Sequence, residues 1–414
     1  MESLVFVGYF GEVIKASKRY TNFFKILIIE TSFSCEMEEL KSYFDDVILV
    51  EDSTDPVEMS TVIEEIQKNN TIHALYANHE WVVEVCGYLR EKFHIPGLKE
   101  MVCKKSRDKF LMKKVMSEAG IKTANVECIE SLESINRFIE KNEYPVVIKP
   151  RNGAATQNTF LIHNEDELQE VINLVDVSQN FIIESYIKGE EYHCDSIVIN
   201  GEVVFSSVSK YLANCIQTIK GQKPVASITF PSTYDDNATI SKIKKVNEKA
   251  ISALGVETSI CHLEVFITEE DECIFGEIAT RIGGGDLIGN TIKYAYGVNL
   301  YDAFIEIQCT GEFHRESVDG QKFVGFVALP TKEGKVVEIA TEDDYKNKED
   351  VKEVRIYNHV GDYIDENINT TKRTGYVIVE GKDYKEVAQK LMQIYEEFKL
   401  VVEIPRPSLF SIYN

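Results

Sequence analysis

The stretch "ECIFGEIATRIGGG", Glu272–Gly285, joins an apolar run to a glutamate, an arginine and three consecutive glycines. A glycine triplet is typical of a loop that lets the backbone approach phosphate, but a carboxylate just before it would repel phosphate. The two features are compatible if a cation lies between the carboxylate and the phosphate. The triplet lacks the following Lys-Ser/Thr of a P-loop, so by itself it does not identify a nucleotide site.

The residues before this stretch supply a second carboxylate. The segment "CHLEVFI", Cys261–Ile267, is separated from it by the acidic turn Thr268–Glu272, which predicts a β-hairpin. If Ile267 pairs near Ile274, Glu264 lies directly opposite Glu277, and like charges so placed are destabilising. Because both strands are otherwise apolar, we favour a cation between the glutamates, and Mg²⁺ is bound in this way by one or two carboxylates plus phosphates. A solvated acidic face, or a register slipped by one residue, is the alternative.

Arg281 lies four positions beyond Glu277, where the second strand is expected to end. Its planar guanidinium can bind a phosphoryl group or a substrate carboxylate through two hydrogen bonds. We expect the glycines after it, Gly283 and Gly284 among them, to let the backbone turn beneath a substrate and to open a helix near Asp286.

The composition excludes several classes of protein. The chain has 414 residues, is 44% hydrophobic and carries a formal charge of −23, which argues against nucleic acid and anionic membranes as partners. Its nine cysteines form no Cys-x-x-Cys pair, so neither a zinc site nor a disulfide framework is expected. With no run of the ~18–20 apolar residues that a membrane span needs, we expect a cytoplasmic protein.

The order of elements predicts an α/β region followed by an α+β body. In the first hundred residues, short apolar strands alternate with amphipathic segments, which indicates a parallel sheet. The expected strands are Leu4–Val7, Lys25–Ile29, Asp46–Val50 and Ala74–Tyr76. Only Gly8 and Gly11 follow the first strand, so a Rossmann oxidoreductase is disfavoured. We expect helical segments over 106–121, 164–175 and 238–254, a hairpin turn at Asn200-Gly201, and strands with helices from about residue 320.

Several polar residues are each ambiguous when taken singly. Lys149 ends the apolar strand Tyr144–Ile148, and the small polar loop after it can cradle phosphate with its N–H groups. Alternatively, Lys149 only extends to solvent, as helical lysines such as Lys109 usually do. Glu184 and Glu191 can accept hydrogen bonds from adenine or ribose, but edge-strand glutamates are equally common.

Taken in order, these features resemble the ATP-grasp superfamily, and more narrowly its carboxylate–amine ligases that join amino acids. The resemblance covers roughly residues 100–310 and rests on "DKFLMKKVMSEAGIKT", "YPVVIKPRNGAATQN", "ESYIKGEEYHCD", "HLEVFI" and "GEIATRIGGGD". It implies an N-terminal Rossmann-like α/β domain (1–100), an ATP-grasp domain (101–315) with a mobile lid at about 115–187, and a C-terminal α+β region (316–414).

The resemblance also implies roles for individual residues. The residues that correspond to ATP-binding positions are Lys109, Lys149, Thr156, Glu184, Tyr186, Ile187 and Glu191. Glu264 and Glu277 correspond to the carboxylates that bind the metal. Lys149 and Arg281 correspond to the catalytic residues. The residues expected at or beside the substrate are His193, His262, Arg281, Gly283 and Gly284. Ala279 replaces the asparagine that many members use as a third metal ligand, and Gly153-Ala-Ala-Thr156 replaces the usual Gly-Ser-Gly.

The implied reaction uses ATP and Mg²⁺, with Mn²⁺ as an alternative, to convert a carboxylate to an acylphosphate that an amine then attacks, leaving ADP and phosphate. A buried structural role is the alternative for both histidines, which could otherwise bind substrate or act as a base. Joining of amino acids for antibiotic biosynthesis is one context that the resemblance implies.

Alternative functions and partners stay open at this point. The acceptor could instead be the pantetheine thiol of an acyl-carrier protein, which would dock on a basic patch such as Lys242, Lys244, Lys245 and Lys249. A non-catalytic ATP-binding regulator is disfavoured by the presence of Lys149, Glu264, Glu277 and Arg281. The expected partners are small-molecule carboxylate and amine substrates, and a homodimer is an open possibility.

Overall fold

The structure is a computed structural model, and it describes residues 1–175, 180–221, 223–316, 320–365 and 373–403. Within these residues the chain forms a parallel sheet and several antiparallel sheets. This mixed α/β architecture confirms the predicted fold class.

The N-terminal region is a four-stranded parallel sheet of strand order β3-β2-β1-β4, as the alternating pattern predicted. Its apolar strands are flanked by helices, so the sheet is buried on both faces. The elements are β1 (Glu2–Val7), α1 (Gly11–Ser17), β2 (Phe24–Glu30), α2 (Met37–Leu40), β3 (Asp46–Val50), α3 (Pro56–Gln67), β4 (Thr71–Ala77) and α4 (Val83–Lys92).

The helical segment predicted over 106–121 consists mainly of one helix, which a second helix precedes. The two helices are α5 (Glu100–Arg107) and α6 (Lys109–Glu118). Asp108 separates them because its backbone is extended and its carboxylate accepts hydrogen bonds from the N–H groups of Phe110 and Leu111, both at 3.1 Å. The new helix start turns Lys109 and Lys113 toward the site described below.

A second sheet of four strands, order β5-β8-β6-β7, follows and has its own apolar core around Ile135, Phe138 and Ile148. The elements are β5 (Val126–Cys128), α7 (Leu132–Asn142), β6 (Val146–Pro150), β7 (Phe160–Ile162), α8 (Glu165–Ile172) and β8 (Phe181–Ser185). The helix expected over 164–175 is therefore present, with Asn164 as its N-cap.

The largest sheet is antiparallel and has the order β13-β12-β9-β10-β11-β14-β18-β16. Ile199 pairs with Glu202, which confirms the hairpin turn at Asn200-Gly201. The elements up to residue 316 are β9 (Glu190–Ile199), β10 (Glu202–Tyr211), β11 (Ala226–Thr229), α9 (Ala238–Leu254), β12 (Ser259–Ile267), β13 (Cys273–Ala279), α10 (Asp286–Tyr296) and α11 (Leu300–Thr310).

The C-terminal region completes this sheet, since β14 pairs directly with β11. Its elements are β14 (Phe323–Ala328), β15 (Gly334–Ile339), α12 (Asp343–Lys346), β16 (Val351–Ile356), β17 (Tyr363–Ile364), β18 (Gly375–Gly381), α13 (Tyr384–Glu397) and β19 (Leu400–Glu403). Strands β17, β15 and β19 form a small separate sheet. Domain boundaries near residues 100 and 315 stay a proposal.

Across the part of the chain that the structure describes, no helix combines the length and apolar character that crossing a bilayer requires. The cysteines whose surroundings are described carry free thiols.

Candidate active site

The hairpin of β12 and β13 places Glu264 directly opposite Glu277, as predicted, but Ile267 pairs with Cys273, and a β-bulge between Glu264 and Val265 brings the two glutamates opposite each other. The face they share is only partly solvated, because the Glu264 side chain is 17% exposed and the Glu277 side chain 37% exposed, and a lysine approaches Glu277. Nζ of Lys109 lies 3.1 Å from Oε2 of Glu277. The ammonium group of Lys109 thus accompanies one carboxylate of the pair, and the Mg²⁺ predicted between the two carboxylates stays a prediction.

A single cavity brings together the residues predicted to bind ATP and metal. It lies between the large antiparallel sheet and the sheet of β5–β8. Its lining includes Lys109, Lys113, Lys149, Gly153, Ala154, Ala155, Thr156, Gln157, Glu184, Tyr186, Ile187, Glu191, Cys215, Glu264 and Glu277. Lysines and glutamates both line its wall, so it suits a polyanion accompanied by a cation.

Lys149 is not a lysine that extends to solvent. Its Nζ lies 2.6 Å from Oε1 of Glu184, whose Oε2 lies 3.2 Å from Nζ of the buried Lys113. Burial alone would lower the pKa of Lys149, but the carboxylates of Glu184 and Glu277 raise it. Lys149 is thus held charged at the end of β6, while Glu184, the residue predicted at adenine, is already engaged by two lysines.

Lys109 is also buried, contrary to what is usual for a helical lysine. It is the first residue of α6, and its Nζ donates to the carbonyl oxygen of Gly153 at 2.6 Å as well as pairing with Glu277. Burial alone would raise the pKa of Glu277, but Lys109 and Lys149 hold it well below its usual range. These contacts join α6, the loop after β6 and the hairpin of β12 and β13.

The loop after β6 has an unusual backbone. Ala155, Thr156 and Asn158 have φ values of 55°, 57° and 51°, in the left-handed region that side chains with a Cβ rarely adopt. For the β-branched Thr156 this conformation is strained, and such strain concentrates at ligand-binding loops. The loop lines the cavity opposite the two glutamates.

Glu191 lies on β9 and lines the cavity. Its Oε2 accepts the N–H of Cys215 at 2.6 Å. Burial, followed by the nearby Glu264 carboxylate, raises the pKa of Glu191 to about 8. The carboxyl group is poised to accept hydrogen bonds and lacks an ion-pair partner among the described residues.

Arg281 lies outside the lining of this cavity and is anchored from the N-terminal sheet. Its Nε forms an ion pair with Glu80, which also pairs with Arg107, and its Nη1 donates to the carbonyl oxygen of Ile282 at 2.8 Å. Burial alone would raise the pKa of Glu80, but Arg281 and Arg107 lower it to about 2. Nη2 of Arg281 has no hydrogen bond to the described residues, so this group is oriented with one nitrogen available.

The two histidines belong to a buried network centred on Asp195. Asp195 lies 2.6 Å from Nδ1 of His193 and 2.8 Å from Nδ1 of His262. Nε2 of His193 contacts the Ser227 hydroxyl at 2.7 Å, so both of its ring nitrogens are occupied and the residue is 1% exposed. We therefore assign His193 to the sheet interior rather than to substrate.

His262 does not fit the role of a general base. Burial alone would lower its pKa, but Asp195 and then Glu264 raise the pKa of His262 to about 10. At neutral pH the ring is already protonated and cannot accept a proton. Its Nε2 lies 3.4 Å from Oε1 of Glu264, which also accepts the Tyr211 hydroxyl at 3.1 Å. The ring thus helps to orient one of the two hairpin glutamates.

The glycines of the opening stretch serve packing and chain direction. A Cβ at Gly283 would lie 2.3 Å from Nδ1 of His262, so this glycine makes room for the ring. Gly284 and Gly285 both have φ of 61°, and a Cβ at Gly284 would meet Ile288 at 2.6 Å. The turn opens α10 at Asp286, as expected, but neither Gly283 nor Gly284 lines the cavity.

Sequence reasoning missed four residues that the structure brings into the site: Glu80, Lys113, Asp195 and Cys215. A signal existed for Lys113, because lysines at 109 and 113 are four apart and so share one helix face. No local pattern could have paired Glu80 with Arg281, which is 201 positions away.

Comparison with known protein families shows matches to two family models. Residues 106–224 match a RimK-like ATP-grasp domain, and residues 327–403 match the L-amino acid ligase C-terminal domain 2. The first match contains the three lysines of the cavity and Glu191. The second covers the region that completes the large sheet.

Curated relatives are ligases that act on amino acids. An L-arginine-specific L-amino acid ligase of Bacillus subtilis is 28% identical over 340 residues, 80% of this chain and 81% of that protein. An alanine–anticapsin ligase of the same species is 25% identical over 61% of this chain and 57% of its own length. A D-alanine–D-alanine ligase B of Clostridium perfringens is 37% identical over 42% of this chain and 58% of its own length.

Solved structures of similar shape have the ATP-grasp fold. An L-amino acid ligase from Bacillus licheniformis matches with a TM-score of 0.79 and 17% identity, over 97% of this chain and 99% of that one. An ADP complex of N5-carboxyaminoimidazole ribonucleotide synthetase matches with a TM-score of 0.72 and 15% identity, over 95% and 96%. At these identities the likeness concerns the fold alone.

Proposed function

We propose that this chain, which belongs to the ATP-grasp superfamily and is a ligase of its carboxylate–amine type, joins two amino acids through an amide bond at the expense of ATP. The observation that carries the proposal is the convergence of Lys109, Lys149, Glu264 and Glu277 on one cavity. The curated relatives support amino acids as the substrate class.

ATP binding is assigned to the walls of this cavity. Lys109 and Lys149 supply charge-assisted hydrogen bonds to phosphate oxygens, and the loop that contains Thr156 offers N–H groups to the same phosphates. The backbone of Tyr186 and Ile187 lines the adenine slot, and Glu191 accepts hydrogen bonds from the ribose. Glu184 is suited to hold Lys149 and Lys113 in place, because its Oε1 lies 2.6 Å from Nζ of Lys149 and its Oε2 lies 3.2 Å from Nζ of Lys113.

The carboxylates of Glu264 and Glu277 suit Mg²⁺, or Mn²⁺ in its place. They are oxygen donors on adjacent strands and line the same cavity as the phosphate-binding lysines, which is the donor set that Mg²⁺ prefers. When bound, the ion would neutralise charge on the ATP phosphates. Ala279, at the position where many ATP-grasp proteins have asparagine, offers no further ligand.

The chemistry divides into phosphoryl transfer and acyl transfer. An oxygen of the substrate carboxylate attacks the γ-phosphorus, and ADP leaves as the acylphosphate forms. An amine then attacks the acyl carbon, loses a proton, and displaces inorganic phosphate. Lys149 and Arg281 stabilise the negative charge that develops on the transferred group, and Glu80 orients Arg281 for this purpose.

Water would hydrolyse the acylphosphate, so the site must be enclosed during the reaction. The sheet of β5–β8 has its own core and carries the loop from Arg151 to Thr159 over the cavity. We propose that this unit, within about 115–187, closes as a lid once ATP is bound.

The alternative acceptor, a carrier thiol, has less support. Its proposed docking lysines are partly neutralised, since Lys242 pairs with Asp271 at 2.7 Å and Lys244 with Asp235 at 2.7 Å. The curated relatives are named as amino-acid ligases, and none of those described above is named for a carrier protein. The cytoplasm stays the proposed location, and a homodimer the proposed assembly to test.

The test is a phosphate-release screen with MgATP and amino acids, offered singly and in pairs. We expect release only when a suitable pair is present, and an amide product by mass spectrometry. Glu277→Gln should abolish the signal in the same screen. If acids support ATP-dependent hydroxamate formation but no pair of amino acids gives an amide, the acceptor proposed here is wrong and a missing thiol partner is favoured.

A further inference from the structure

A thiol lies inside the proposed nucleotide cavity, beside two of its carboxylates. Cys215 begins the short 3-10 helix Cys215–Gly221 that follows β10, while Glu191 comes from β9 and Glu264 from β12. The Sγ atom and one oxygen of each carboxylate all lie within 4.8 Å of one another. The reaction proposed above gives this sulfur no role.

The three side chains are held in place by contacts from different elements. The N–H of Cys215 donates to Oε2 of Glu191 at 2.6 Å, and the N–H of Glu191 donates to Oδ1 of Asn214 at 3.2 Å. Glu264 is oriented on the other side by the hydroxyl of Tyr211. The cluster is therefore built into the sheet and is not a chance meeting of surface groups.

The ligand set is chemically different from that of a magnesium site. A thiolate with two carboxylates suits a thiophilic ion such as Zn²⁺, which takes sulfur at about 2.3 Å and oxygen at about 2.0–2.2 Å in tetrahedral geometry. Such a geometry places the ligand atoms roughly 3.5 Å apart, and those of the cluster lie within 4.8 Å of one another, so the side chains would draw closer around the ion. Mg²⁺ prefers oxygen ligands and would leave the sulfur unused.

We propose that Glu191, Cys215 and Glu264 bind a thiophilic divalent cation, Zn²⁺ or its substitute Cd²⁺, when the nucleotide is absent. A water molecule would complete the tetrahedron, and the thiol proton would pass to solvent as the metal–sulfur bond forms. Since Glu191 is assigned to ribose and Glu264 to Mg²⁺, occupation by such a metal excludes MgATP. This exclusion rests on the proposed function, whereas the metal site itself does not.

The first test is a Cd²⁺ titration of the nucleotide-free full-length protein, followed by the ultraviolet absorption of the cadmium–thiolate bond. We expect a saturable step in the wild-type protein whose apparent Kd weakens by at least about 100-fold in Cys215→Ser, more than the 10–100-fold that loss of an outer partner costs. The matched control is Cys128→Ser, which removes another partly buried thiol outside the cluster and should leave the step unchanged.

A second variant separates metal ligation from folding. Glu191→Gln retains the thiol but loses an anionic ligand, so the step should persist with weaker affinity. The proposed metal site is wrong if the cadmium–thiolate absorption of Cys215→Ser saturates as in the wild type. It is also wrong if Glu191→Gln and the wild type bind Cd²⁺ with equal affinity. Thermal unfolding of both variants verifies that each is folded.

The exclusion of nucleotide is measured with free Cd²⁺ held constant by a metal buffer, because nucleotides themselves chelate metals. Saturating MgADP should remove the cadmium–thiolate absorption from the wild-type protein. Absorption that survives saturating MgADP overturns the exclusion. If no amino-acid pair releases phosphate and the Cys215-dependent step is still present, the proposed ligase function fails while the metal site stands.

Discussion

Replacing Gly283 with alanine probes the packing that supports the hairpin glutamate Glu264. An added methyl group would lie 2.3 Å from Nδ1, 2.5 Å from Cγ and 2.7 Å from Cε1 of His262. Ordinary contact begins near 3.4 Å, so the ring or the backbone must move by about 3.4 − 2.3 = 1.1 Å. Nδ1 is the atom that binds Asp195 at 2.8 Å, and a movement of that size breaks the hydrogen bond.

The expected loss of stability follows from these two effects. A hydrogen bond between charged groups contributes about 1.5–3 kcal/mol. Overpacking in a tight interior costs about 1–3 kcal/mol. Together they predict that Gly283→Ala lowers the free energy of unfolding by about 2.5–6 kcal/mol.

Urea denaturation, monitored by circular dichroism, measures this loss. The midpoints of the two proteins are compared provided that the dependence of their unfolding free energy on urea has the same slope. The control is Gly11→Ala, where the nearest atom to the new methyl group is the Tyr9 hydroxyl at 3.9 Å, and stability should hold or rise by up to about 1 kcal/mol. In a His262→Ser background the ring is gone, so Gly283→Ala should cost far less than in the wild type. Wild-type stability of Gly283→Ala would refute the packing of His262 against this glycine.

Four further predictions concern charge and chemistry. The pKa of His262 is raised to about 10 in the folded protein against about 6.5 when unfolded. The stabilisation by the protonated ring is therefore fully present below pH ~6.5 and is lost as the pH rises to 10. In urea titrations the stability advantage of the wild type over His262→Gln should thus shrink by up to about 5 kcal/mol between those two pH values. Lys149→Ala should weaken ATP binding by about 1.5–3 kcal/mol, roughly 10- to 150-fold in Kd by calorimetry, and unchanged affinity would count against its contact with phosphate. Glu277→Gln should abolish ATP turnover in a protein that still folds, with a lower unfolding midpoint because the buried Lys109 loses its ion-pair partner; near-normal turnover with tight Mg²⁺ dependence would refute the metal assignment. Arg281→Lys should bind ATP nearly as well but lose roughly 10²–10³ in single-turnover phosphate release, and a loss of ATP affinity with intact chemistry would contradict its role in the transition state.

The amino-acid sequence by itself determined the features that depend on neighbouring residues. The parallel N-terminal sheet followed from short apolar runs that alternate with amphipathic segments. Two apolar strands and a short acidic turn predicted the hairpin and the pairing of Glu264 with Glu277, but not the β-bulge that produces this pairing. Motifs whose order along the chain is itself informative predicted Lys109, Lys149 and the glutamates that line the cavity, whereas Lys113 was missed.

Only the tertiary structure decided how distant elements meet. Glu80 and Arg281 are 201 positions apart, and their ion pair exists because the N-terminal sheet docks beside the hairpin. The same docking of elements placed Glu184 between two lysines, Cys215 beside two carboxylates, and His262 against Gly283. Such contacts depend on how helices and sheets pack in three dimensions, and local periodicity carries no record of that packing. The three glycines show the difference: their sequence indicated a loop near a substrate, whereas their neighbours in space assign Gly283 to accommodating a charged ring and Gly284 and Gly285 to turning the chain into α10.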